Sequence, residues 1–138
     1  MSFNVETAFT EISKGDSEAF DFCRSFLDFV HCLDDLVDRD KPVDPKVAGH
    51  TFLKLIYCLA DNRFFQRHKA VLLPIIHTAT VEWIDSERLR QFDCPIKKVA
   101  AEVLKSSYQS IFFHVAYLCG GIDHQLKMSL TYRDYDFG

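Results

Sequence analysis

The chain has 138 residues, the length of one domain and enough to bury a single core. Hydrophobic residues make up 48% and charged residues 26%, which excludes a disordered chain, and a net charge of −4 lacks the basic footprint of a nucleic-acid binder. Phe numbers 13 against 5 Gly and 4 Pro, so large apolar groups outnumber chain breakers and an all-α, single-domain bundle of about five helices is expected.

The opening residues "MSFNVETAF" lack the basic and apolar regions of a signal peptide. Residues 1–15 and 133–138 read as looser termini of a single domain spanning residues 1–138. The first helix is expected from Asp16 or Ser17, with Glu18 in its first turn. Phe20, Cys23, Phe26, Leu27, Val30, Leu33 and Val37 follow at helical spacing. Asp44 before Pro45 starts the second helix, with Val47, Phe52, Leu55, Ile56 and Leu59 as its expected buried stripe. "DNR" at residues 61–63 ends it.

The third helical stretch runs from Arg63 to about Phe92, with Pro74 inside it and Trp83 and Ile84 expected to face the core. The fourth starts at Asp93 and Pro95 and carries Ile96, Val99, Val103, Leu104, Ile111, Phe112, Val115 and Leu118. Gly120 and Gly121 interrupt it, and a short fifth helix follows. The longest uncharged run, Ser106 to Ile122, contains Gln109, His114 and three serines and is too polar for a membrane span. Five cysteines, widely spaced and without a C-x-x-C, read as small hydrophobes in a reducing compartment, so a cytoplasmic protein is expected.

The unusual local feature is "FVHCLDDLVDRDK", Phe29 to Lys41, with Asp34, Asp35, Asp38 and Asp40 within seven residues. A helix C-terminus carries partial negative charge and disfavours acids. Asp34 and Asp38 share a helix face, Asp35 is adjacent, and His31 precedes them on the same side. Three neighbouring carboxylates repel, and a divalent cation removes that conflict. Mg²⁺ takes carboxylate oxygens and completes its shell with water and substrate phosphate. The alternative is a solvated helix end, with Arg39 and Lys41 offsetting the charge and Asp40 in the following turn.

"FVHCLDDLVDRD" resembles the first aspartate-rich motif of class I isoprenoid synthases, especially the squalene/phytoene synthase branch. The resemblance implies that Asp34, Asp35 and Asp38 bind Mg²⁺ and hold a diphosphate ester, with His31 where that branch usually has arginine. "YLCGG", Tyr117 to Gly121, echoes the small-residue break of a later helix, and Asp123 follows it as a further metal ligand. No second D-D-x-x-D, D-x-x-x-D or N-S-E motif is present, and the family's bundle is about twice as long. A half-size member, a dimer that completes the cavity, or a bundle with a coincidental motif all remain open.

His31, His114 and His124 are the candidate substrate-binding residues, brought beside the aspartates if the bundle closes that way. Thr78, Glu82 and Asp85 form one polar helix face, either a second acidic wall or a solvated surface. There is no His-Asp dipeptide, EF-hand loop, P-loop, G-x-S-x-G or H-E-x-x-H. The rival reading is non-catalytic: a Phe-rich helical protein that buries surplus apolar surface against another copy of itself or a partner.

Overall fold

The computed structural model describes residues 4–38 and 42–137. Arg39, Asp40 and Lys41, expected to form the turn after the acidic helix, lie outside the described residues. The described residues form α1 (Val5–Ser13), α2 (Ser17–Asp38), α3 (Pro45–Asp61), α4 (Arg63–Leu89), α5 (Pro95–Lys105) and α6 (Ser110–Tyr132), with a 3₁₀ turn at Ser107–Gln109 before α6. No strand occurs among them, so the chain is an all-α bundle.

Short polar side chains define most of the boundaries. Asn4 caps α1 by accepting from the Thr7 amide at 2.8 Å. Asp16 caps α2 by accepting from the amides of Glu18 and Ala19. Asp44 does the same for α3, with Pro45 at its first position. Asn62 alone separates α3 from α4. It accepts from the Phe65 amide at 2.8 Å, and its own amide donates to the Glu18 carbonyl, fixing the start of α4 to the start of α2.

Residues 5–13, expected within a looser terminus, form α1 instead. Val5, Ala8, Phe9 and Ile12 fall on one face, and the last three are fully buried. A nine-residue helix gains little from propensity, so packing holds it. Phe9 meets Phe112 of α6 at 4.8 Å between ring centroids and stacks on Phe137 at 5.7 Å. Phe137, also expected in a loose terminus, is buried, as is Tyr132. The core continues through Phe22, Phe26, Phe64 and Phe65, where α2 meets α4.

The expected fourth helix is divided. α5 stops at Lys105, and the hydroxyls of Ser106 and Ser107 bond back to the carbonyls of Val103 and Leu104. Such local bonds compete with helix continuation. The glycine pair interrupts α6 as expected: Gly121 takes φ 86° and ψ −174°, which glycine adopts without strain, and a second helical stretch follows it. A side chain at Gly120 would stand 2.6 Å from the His124 ring, so that position also requires glycine.

The outer helices bury less than their patterns predict. α3 has no fully buried residue, and Val47, Phe52 and Ile56 of its expected stripe are exposed. On α5, Ile96 is 81% exposed and Val99 and Val103 about two-thirds exposed. Ile84, expected toward the core, is also exposed, while Trp83 is half-buried. Helical period marks these faces as apolar, but none of the described residues covers them. Among the described residues no helix is long and apolar enough to cross a membrane.

Candidate functional site

The C-terminal part of α2 lies beside the C-terminal part of α4. Asp34 and Asp38 of α2 and Glu87 of α4 each direct one carboxylate oxygen to a common point, these atoms lying within 4.8 Å of one another. Asp35 turns to solvent and takes no part in this group. The carboxylate across from Asp34 and Asp38 is Glu87, and Asp123, Glu82 and Asp85 are not in this group. Glu82 instead lines a shallow groove with Thr78, Ser107 and Ser110.

Among the described residues, two cations neutralise part of this charge. Arg90 Nη2 donates to Asp38 Oδ1 at 3.0 Å and pairs with Glu87 Oε2 at 2.5 Å. Lys105 Nζ stands 3.9 Å from Asp34 Oδ2. Acids crowded against the C-terminal dipole of α2 are thus held by cations that arrive from α4 and α5. The Arg90 guanidinium is held above its ordinary range, first by its bond to Asp38 and further by the nearby charges of Glu87, Asp38 and Asp34. Two oxygens remain buried without a partner, Asp34 Oδ1 and Glu87 Oε1. An unpaired buried acceptor is unfavourable by about 1–3 kcal/mol, more when charged, so the cluster is under-satisfied as it stands.

A cleft of about 330 Å³ opens next to Asp34. His31, Trp83, Glu102, Lys105, Tyr108, Gln109 and Asp136 complete its wall. His31 Nε2 is buried there without a hydrogen bond. Behind the cleft runs an apolar groove of about 130 Å³ between α2, α3 and α4, lined by Phe26, Phe29, Leu33, Leu59, Leu73 and Ile76 among others. Val30, Trp83 and Tyr108 line both spaces, so the polar cleft and the apolar groove share a wall.

The remaining predicted residues lie elsewhere. His114 packs against Tyr117 and lines a groove with Ile75, Phe113 and Arg133, and burial lowers its pKa. His124 Nε2 lies 3.1 Å from the Ile12 carbonyl, tying α6 to α1. Asp123 lines a groove with Glu11, Lys14 and Lys127, also between α1 and α6. Of the three histidines only His31 shares a site with the aspartates. Glu87, Arg90 and Lys105 were not singled out from the sequence, because nothing in their spacing relates them to α2; only the packing of α4 and α5 does. The chain matches no protein-family model, no characterised protein and no solved structure.

Proposed function

We propose that the chain binds a divalent cation, Mg²⁺ by donor type, between α2 and α4, and through it a diphosphate ester. The observation that carries this reading is the convergence of Asp34, Asp38 and Glu87, from two helices, with two of their oxygens buried and unpartnered. The donor set fits: hard carboxylate oxygens suit Mg²⁺, which retains water and completes its shell with phosphate. A bound cation supplies charge stabilisation to phosphate oxygens. The chain's own contribution is to hold three acids in place and to set Arg90 and Lys105 beside them. Arg90 stands where a cation binds, so metal has to displace it from Asp38 and Glu87.

The test is a thermal melt with and without Mg²⁺ and pyrophosphate, on wild type and on Asp34→Asn/Asp38→Asn. A ligand at a hundred times its Kd adds about 2.7 kcal/mol to stability. A rise in wild type that is lost in the variant supports the reading. No rise in wild type, with the variant melting higher as repulsion is relieved, refutes it.

A specific observation favours a second reading, association of the chain with another copy of itself. α3 exposes Phe52, Leu53, Ile56 and Tyr57 as one continuous outer face. Contiguous apolar surface of this kind marks interaction sites. Light scattering on wild type and on Phe52→Glu/Tyr57→Glu separates the readings. A dimer that becomes a monomer in the variant supports association, and a monomer in both refutes it.

A further inference from the structure

The cleft beside the acidic cluster presents a ligand chemistry of its own. Among the described residues its wall carries the carboxylates of Asp34, Glu102 and Asp136 and the ammonium of Lys105. Lys105 approaches Asp34 Oδ2, and the other oxygen, Oδ1, is left buried and unbonded. One helical turn earlier on α2, His31 Nε2 is buried and unbonded as well. An ionised carboxylate oxygen only accepts, and Nε2 accepts when the imidazole proton is on Nδ1. Asp34 Oδ1 is therefore a buried acceptor without a donor, and His31 Nε2 is a second one in the Nδ1–H tautomer. An ammonium group offers three donors and no acceptor.

The rest of the lining agrees with a cationic guest. Trp83 and Tyr108 present aromatic rings, which attract cations most strongly away from water. Burial raises the Tyr108 phenol, and the carboxylates of Asp136 and Asp34 push the same way, as a negative field in the cleft requires. Val30, Trp83 and Tyr108 also border a groove that is almost wholly apolar. A guest that fills both spaces has a charged end and an aliphatic end.

We propose that the cleft binds a primary aliphatic ammonium, its –NH₃⁺ between Asp34 and His31 and its chain passing Trp83 and Tyr108 into the apolar groove. The site shares Asp34 Oδ1 with the divalent-cation reading but adds His31 in place of Asp38 and Glu87, so a titration with metal chelated separates the two.

Trp83 is the single tryptophan of the chain, so its emission reports on the cleft directly. The experiment titrates the full chain, with EDTA present, with n-hexylamine, shorter n-alkylamines, n-hexanol and n-hexyl sulfate. The expected result is a saturable change with hexylamine at millimolar concentration. Affinity rises up to about fourfold per added methylene from ethyl to hexyl. Hexanol and hexyl sulfate bind at least about tenfold more weakly, because neither supplies a charged donor. Asp34→Asn weakens hexylamine about tenfold. Hexanol binding as tightly as hexylamine overturns the proposal, since the groove alone then binds. So does an emission that no amine changes, and so does an affinity independent of chain length. The ligand series on wild type decides the matter even if a variant folds poorly.

Discussion

Replacing Arg90 by Gln tests the acidic cluster most sharply, because it separates the resident cation from an added one. Arg90 reaches Asp38 at 3.0 Å and Glu87 at 2.5 Å, with its side chain 39% exposed and the two acids 19% and 15% exposed. Partly exposed ion pairs are worth about 0.2–1 kcal/mol each, so the two together contribute about 1 kcal/mol. Removing the guanidinium also leaves Asp34, Asp38 and Glu87 repelling one another without relief. For a domain of this size, 1 kcal/mol shifts Tm by about 3–4 °C. In EDTA and low salt, Arg90→Gln should melt lower by that amount, and the difference should shrink as salt screens the pairs. With Mg²⁺ the order should change. Metal in wild type must first break the Arg90 contacts, whereas in the variant it meets three open carboxylates. A loss of 1 kcal/mol of competition corresponds to about a fivefold gain in affinity. Differential scanning fluorimetry across a Mg²⁺ series measures both effects. Equal Mg²⁺-induced shifts in the two proteins would refute competition between Arg90 and metal, and an unchanged metal-free Tm would show that the pairs contribute nothing.

Phe9→Ala should lower stability by about 3–5 kcal/mol in urea unfolding, since Phe9 is fully buried against Phe112 and Phe137. A loss below 1 kcal/mol would mean that α1 is not part of the core. Gly120→Ala should cost about 1–3 kcal/mol, because the new methyl meets the His124 ring at 2.6 Å; a neutral result in the same assay contradicts that close approach. Burial lowers the pKa of both His68 and His114 from the ordinary 6.5. The unfolded chain therefore takes up protons first as pH falls below about 6.5, and stability at these sites drops from that pH downward. Tm measured from pH 7.5 to 5 should fall, and His114→Gln should fall less steeply; a parallel profile excludes His114 as a contributor.

Much of the architecture was legible because it depends on local chemistry. Asp16, Asp44 and Pro45 announce the starts of α2 and α3, and the apolar period marks each long helix. α1 carried the same signal, with Val5, Ala8, Phe9 and Ile12 on one face, but its nine residues are too few for the period to stand out. What period cannot give is the partner of a face. The stripes of α3 and α5 look like that of α2, yet only the part of α2 up to Leu27 is fully buried, and Val37 near its end is exposed as Val47 and Val99 are. The acidic site divides in the same way. Asp34 and Asp38 follow from helical spacing, whereas Glu87, Arg90 and Lys105 reach them only through the packing of α4 and α5 on α2. Asp123 and His124 sat close in sequence to a suggestive glycine pair, but that pair turns them toward α1.

The stacking of Phe9 on Phe137 bears on how the protein is made. A ribosome synthesises at 5–20 residues per second, so Phe9 waits on the order of ten seconds for the ring that covers it. During that interval α1 has only α2 to pack against, through Phe9 and Phe20, and the surface of Ala8, Phe9 and Ile12 that α6 and Phe137 cover stays open to water or a holding chaperone. The nascent chain is therefore most exposed to misassociation at its first helix, and the hazard ends only when residue 137 has left the exit tunnel.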